Sequence, residues 1–219
     1  MNIELFERAR RWIDDDPDLV TQEAGRQILA SGDEDLIHSH FGGRLSFGTA
    51  GLRAEIGPGP NRMNRALVRR VTCAVGRHLM ADVSDACTRG IVIGFDGRHG
   101  SLEFAEDALG IMGALGFSVY IFDAVIPTPR LAHAIRVLGA AGGIMVTASH
   151  NPPRDNGYKV FWSDSAQIIP PHDALISAQI DKISSLKEVA FASRDELVKR
   201  DMVHGIPEAV HQTYFEEIA

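Results

Sequence analysis

Cysteine is almost missing from this chain: its 219 residues hold two, Cys73 and Cys87, and neither sits in a C-x-x-C pair. Such sparse usage excludes a disulfide framework or a cysteine zinc cage and predicts idle thiols in a reducing cytosol, hence a cytoplasmic location. Long apolar runs are missing too, since none approaches the roughly 20 residues of a membrane span. The opening MNIELFERARRWIDDDPDLV lacks the apolar core and small-residue cleavage site of a secretory signal. Positive charge is in deficit, with 22 Lys and Arg against 29 Asp and Glu for a net charge of −7. A nucleic-acid binder usually shows a basic face, so that partner class is disfavoured, as is a membrane. Familiar phosphate and acyl-transfer devices are absent as well. There is no G-x-x-x-x-G-K-[ST] loop, GPGP at 57–60 follows no strand, and no G-x-S-x-G elbow occurs.

What is present is ordinary globular composition, 45% hydrophobic and 23% charged, enough for one large domain or one domain with part of another. Residues 3–14, 18–30 and 33–40 carry helical spacing and predict an N-terminal helical arm, with Gly32 as a helix end. FGGRLSFGTAGLRAEIGPGPNRMN (41–64) is dense in glycine and predicts a loop, long enough to be functional. From Asn64, a capping residue, Leu67, Val68, Val71, Val75 and Leu79 share one helical face. Strands are predicted in GIVIGFDGR (90–98), FSVYIF (117–122), 143–147 and 158–162. Between them lie helices capped by Ser101 and by Thr128, with Pro129 in a first turn where its missing N–H is harmless. Further helices are expected at 172–184 and 207–219.

Strand–helix–strand alternation predicts an α/β fold with a mixed, mostly parallel, four-stranded sheet between helices. The fourth strand follows too short a connection for a crossover, so it should run antiparallel to the third.

In open α/β sheets ligands gather beyond the carboxyl ends of the parallel strands. Three loops leave those ends: FDGRHGS (95–101), DAVIPTP (123–129) and TASHNPPRDNGYK (147–159). The third is the richest chemically, with Ser149, His150, Asn151, Arg154 and Lys159, two prolines that restrict the backbone, and Gly157 for a tight return. A nucleophile–base pair of Ser149 and His150 is disfavoured, because adjacent side chains on an extended segment point apart. A histidine metal site finds no support in spacing: His38 and His40 are two apart on a helix, and His150 has no local partner. Arg53, Arg98 and Lys159 can instead converge on the Ser149 hydroxyl as an anion pocket, since Arg and Lys suit phosphate recognition. That convergence points to phosphoryl chemistry.

TASHNPPRDNGYK resembles the phosphoserine loop of the α-D-phosphohexomutases, the phosphoglucomutase/phosphomannomutase superfamily. FGTAGLR (47–53) resembles its opening substrate loop, and FDGRHGS and IPTP stand at the expected intermediate positions. The resemblance runs from about residue 45 to 219. It implies an arm at 1–44, a first domain carrying the phosphoserine loop at 45–205, and the start of a truncated second domain at 206–219. Ser149 is implied to carry a phosphoryl group, to hold Mg²⁺ through a phosphate oxygen, and to exchange phosphate with a hexose monophosphate through a bisphosphate intermediate, hexose 1,6-bisphosphate serving as activator. Arg53 and Lys159 are implied electrostatic stabilisers, His150 orients hydroxyls or phosphate, and Thr49, Arg98 and Asn151 bind substrate.

Two departures matter. Ala54 stands where many relatives carry glycine, and the D-G-D-x-D-R loop that supplies three metal-binding aspartates is not found in these residues. The chain therefore looks like an N-terminal portion, expected to be inactive alone, whose implied partners are a phosphosugar substrate and the missing C-terminal domains of the same chain. The expected activity is that of a phosphoglucomutase or phosphomannomutase, with phosphopentomutase as an alternative. A non-catalytic phosphosugar-binding remnant and a phosphatase relative are the rivals from other classes.

Overall fold

The computed structural model describes residues 3–219. The arm is three helices, α1 (Ile3–Asp15), α2 (Leu19–Ser31) and α3 (Glu34–Phe41). Asp18 opens α2 by accepting the Val20 N–H at 2.9 Å, and Gly32 closes it with a left-handed φ of 68°. Leu5, Ala9, Ile13, Ile37 and Phe41 form a small apolar cluster of the arm's own.

The rest of the chain builds one six-stranded sheet with helices on both faces. Its strands are β1 (Leu52–Glu55), β2 (Ile91–Phe95), β3 (Val119–Ile121), β4 (Gly142–Val146), β5 (Asp155–Trp162) and β6 (Val203–Gly205), in the order β1-β5-β4-β2-β3-β6. Pairings of β2 with β3 and β4, and of β3 with β6, are parallel; β5 is antiparallel to both β4 and β1. The predicted reversal of β5 is therefore seen. The strand count is not four but six. β1 lies inside the glycine-rich segment expected to be loop, and β6 is a three-residue edge strand too short to carry a pattern of its own. β5 also starts at Asp155, three residues before the expected strand, because its first residues pair with β1.

The helices are α4 (Arg65–Asp82), the short α5 (Ala86–Arg89), α6 (Ser101–Ala114), α7 (Thr128–Leu138), α8 (His172–Asp181), α9 (Arg194–Lys199) and α10 (Glu208–Ile218), with a 3₁₀ turn at Leu186–Glu188. Asn64 caps α4 as predicted, accepting from Leu67 N–H at 2.9 Å. Ser101 and Thr128 do not cap. Gly100 and Pro127 hold those positions, and Ser101 is the first helical residue with its hydroxyl turned to Asp96.

The pleat sorts the core. Ile91, Ile93, Ile144, Val146, Tyr158 and Val160 face the layer containing α4, α6 and α8 in one large cluster. Val92, Met145 and Phe161 point the other way, against Leu131, Ala134 and Ile135 of α7 and Val210 of α10. Each fully buried Leu or Ile of this kind stabilises the fold by about 1.5–3 kcal/mol. The last helix lies on α7 through Arg136 to Glu217 and His133 to Thr213.

Candidate active site

Alternation along β1 and β5 decides which side chains meet. Leu52 and Tyr158 are paired and buried in the large cluster, so their neighbours Arg53 and Lys159 emerge together on the opposite face. Gly51 makes this approach possible. Its φ is 76°, and a Cβ there would stand 2.0 Å from the Tyr158 carbonyl oxygen, so the glycine loop can lie directly on β5 only without a side chain. Lys159 is buried, and its ammonium is held below the ordinary lysine value first by loss of hydration and then by the Arg53 charge, with Asp96 opposing. Arg53 keeps a buried Nε–H with no hydrogen-bond partner among the described residues.

The turn after β4 carries Ser149 in the left-handed region at φ 59°, unusual for a serine and held by specific contacts. Its N–H donates to Thr147 Oγ1 at 2.9 Å, and the N–H groups of Asn151 and Asp155 close successive turns onto the Ala148 and Pro152 carbonyls. The Ser149 hydroxyl and the His150 ring are both exposed. Ser149 Oγ and His150 Nδ1 lie 3.5 Å apart, too far for a strong hydrogen bond and consistent with His150 being no built-in base. Asn151 Nδ2 donates to Asp155 Oδ2 at 2.9 Å, so its amide braces the turn.

Arg98 departs from expectation. Its guanidinium does not face the Ser149 hydroxyl. It lies beneath the loop and donates to the carbonyls of Ser149 and Asn151, each at 2.8 Å, and of Pro152 and Asp155 at 2.8 and 3.0 Å. Its Nε–H faces Asp96 Oδ2 at 3.3 Å, which accounts for all five donors. Asp96 is itself fixed by the Ser101 hydroxyl and the Arg98 N–H, and Asn156 ties the same corner by donating to Ser101 Oγ and the His99 carbonyl. Asp96 and Asn156 carry no local signal in the sequence for this role, and Ser101, expected only as a helix cap, serves here as a link between them. Thr49 is exposed, and its carbonyl accepts from Gln167 Nε2 at 2.7 Å, on the flank of β5 near the Phe161–Gln167 bridge.

A Mg²⁺ site is not complete in these residues. The ion wants about six oxygen ligands in octahedral array, largely carboxylate, phosphate and water. Near Ser149 the Asp96 carboxylate is engaged by Arg98 and Ser101 and one Asp155 oxygen by Asn151, leaving Ser149 Oγ, or a phosphate on it, and Asp155 Oδ1, fewer side-chain oxygens than the ion needs.

Known proteins bear on this arrangement. The family model described as "Phosphoglucomutase/phosphomannomutase, alpha/beta/alpha domain I" matches residues 44–187. A phosphopentomutase from Pongo abelii is 38% identical over 98% of this chain and 36% of its own length. A phosphoglucomutase from Staphylococcus epidermidis is 36% identical over 80% of this chain and 31% of its own. The crystal structure of a phosphoglucomutase/phosphomannomutase family protein from Burkholderia thailandensis superposes with a TM-score of 0.59 over 79% of this chain and 35% of that one. At 24% identity it speaks to the fold alone. The chain thus spans about a third of the length of the curated relatives it matches. With the domain I model matching residues 44–187, well over half of its length, this chain belongs to the phosphoglucomutase/phosphomannomutase family.

Proposed function

We propose that this chain is the phosphoserine-bearing part of a sugar-phosphate mutase, moving phosphate between the anomeric and terminal oxygens of an aldose through a bisphosphate. The carrying observation is the Ser149 turn, fixed from below by Arg98 and exposed above, on the sheet whose neighbouring strands present Arg53 and Lys159. In the forward step the phosphorus–Oγ bond of phospho-Ser149 breaks and a bond to the sugar hydroxyl oxygen forms. The hydroxyl proton passes, in net, to Ser149 Oγ. The sugar then returns its other phosphate to the same oxygen in the reverse sense. Such a transfer depends on positioning and charge neutralisation more than on a strong base. Arg53 offers a buried donor with no partner among the described residues, which an equatorial phosphate oxygen would satisfy. Lys159, with its depressed basicity, is the group best suited to carry the proton.

The sugar is inferred to be a pentose phosphate first and a hexose phosphate second. The phosphopentomutase likeness extends over more of the chain than the phosphoglucomutase likeness. Metal-binding aspartates, sugar selection and a distal phosphate clamp are inferred to lie outside these residues, so residues 1–219 alone are expected to show no turnover. Mg²⁺ would be completed there, and a cytoplasmic setting suits the free thiols. For the test, the full-length protein and its Ser149→Ala variant are incubated with ribose 1,5-bisphosphate or glucose 1,6-bisphosphate and then mapped by peptide mass. Phosphate on Ser149, abolished in the variant together with mutase turnover, is the expected outcome. Phosphate on another residue with Ser149 unmodified would overturn the assignment.

A further inference from the structure

The other end of the sheet holds a second group of chemically capable side chains. Trp162 ends β5 opposite Gly142, the first residue of β4, whereas Ser149 follows the last. Seven residue steps of strand, about 23 Å, separate Trp162 from Asp155. His78 and Asp82 lie four apart on α4 and so share a face, and His172 opens α8 beside them. His78 Nε2 and His172 Nδ1 are 3.0 Å apart, and a nitrogen from each ring and an Asp82 carboxylate oxygen all lie within 4.8 Å of one another. His78 is buried, His172 half-buried and Asp82 exposed, so solvent reaches the cluster at Asp82.

From this geometry we infer a binding site for a divalent transition-metal ion, of the zinc class, formed by His78, Asp82 and His172. Two imidazole nitrogens on one zinc ion, each about 2.0–2.1 Å from it, stand about 3.3 Å apart. The present 3.0 Å therefore needs a shift of only a few tenths of an ångström, and Asp82 needs a side-chain rotation. Now the two nitrogens share one proton in a hydrogen bond. Metal binding needs a lone pair on both, which is met when the donor imidazole moves its proton to its other ring nitrogen, with no net loss. Two imidazoles and a carboxylate leave one tetrahedral position for water. That donor set suits Zn²⁺, Co²⁺ or Ni²⁺ and is poor for Mg²⁺.

The surroundings already orient these ligands. Trp162 Nε1–H donates to Asp82 Oδ2 at 2.9 Å, and the Trp162 ring packs on His172 and His78 at centroid distances of 4.4 and 5.2 Å. Outer contacts of this kind fix ligand orientation, and losing one typically weakens metal binding about 10–100-fold. The ion would clamp the end of α4 to the start of α8.

The experiment is calorimetric titration of ZnCl₂ into this chain and its variants, in a buffer that does not chelate. Visible absorption with Co²⁺ reports the ligand geometry, and circular dichroism without metal verifies folding. One saturable equivalent is expected for the unaltered chain. Asp82→Asn, an exposed change that leaves the fold intact, and His172→Ala should each weaken binding at least about tenfold. Trp162→Phe, which keeps the stack and removes only the N–H, should weaken it by about tenfold. Absence of saturable binding, or an affinity indifferent to Asp82→Asn and His172→Ala, would overturn the site. In the latter case the zinc would be held by other histidines.

Discussion

Lys159 is costly to the fold, and the proposed reaction would use it. It lies in a strand that is otherwise wholly buried from Asn156 onward, beside the like charge of Arg53. Its native pKa lies below its unfolded value, so the protonated form is less favourable folded than unfolded. That penalty is fully present below the folded value and disappears as pH rises through the unfolded value near 10.4. Lys159→Met is therefore expected to raise the melting temperature at neutral pH, with the gain shrinking toward alkaline pH. In the full-length protein the same change should lower turnover about 10²–10³-fold, the usual effect of removing one charge-stabilising contact. Thermal melts across pH, paired with a mutase assay, check both halves. A lower melting temperature at neutral pH would show that the ammonium stabilises the fold, contrary to this account.

At the scale of elements, the Ser149 loop behaves as a strand–turn–strand unit held by one arginine. Arg98 reaches four carbonyls because its planar fork presents paired donors, which an ammonium cannot do. Arg98→Lys should therefore loosen the turn while leaving the sheet intact. Charge-assisted hydrogen bonds contribute about 1.5–3 kcal/mol, so the Asn151 and Asp155 amides are expected to exchange roughly 10–100 times faster. Unchanged exchange at those amides would refute the latch. The sequence announced the loop through its residue types, and it announced β2, β4 and the reversal of β5 through apolar runs and a short connection. It did not announce β1, because LRAE carries one buried residue among glycines and its pairing is decided by β5 about a hundred positions away. Nor did it reveal that Arg98 turns inward. An arginine in a loop has the same local signature whether it meets substrate or backbone, and only the return of the chain at 149–155 decides. The His78–Asp82 spacing was visible on its helix, but His172 is brought to it by tertiary packing alone.

Across the whole molecule, the arm is joined to the sheet domain by an ion pair that is largely out of water. Asp15, the last residue of α1, accepts from Arg70 of α4, from the Ser185 hydroxyl at 2.6 Å and from the Leu186 N–H at 2.6 Å. Arg70 also donates to the Ile183 carbonyl at 2.8 Å and lies over the Trp12 ring at 4.8 Å, bringing α1, α4 and the segment after α8 to one point. Burial holds the Arg70 guanidinium below its ordinary value despite the Asp15 charge, so desolvation exceeds the partner's gain here. The family model begins at residue 44, beyond the arm, yet this junction couples the arm to residues inside the matched segment. Breaking one side of such a pair leaves a buried charge uncompensated, which costs about 3–5 kcal/mol, against under about 1 kcal/mol for an exposed pair such as Arg26 with Glu23. Asp15→Ala is thus expected to destabilise the whole chain by about 3–5 kcal/mol in urea denaturation. Asp15→Leu combined with Arg70→Met should recover most of that loss, because neither charge is then buried. Glu23→Ala serves as the exposed control. If Asp15→Ala costs no more than Glu23→Ala, the arm is an appendage, and α1 owes its position to the Leu5, Ala9 and Ile13 contacts rather than to the buried pair.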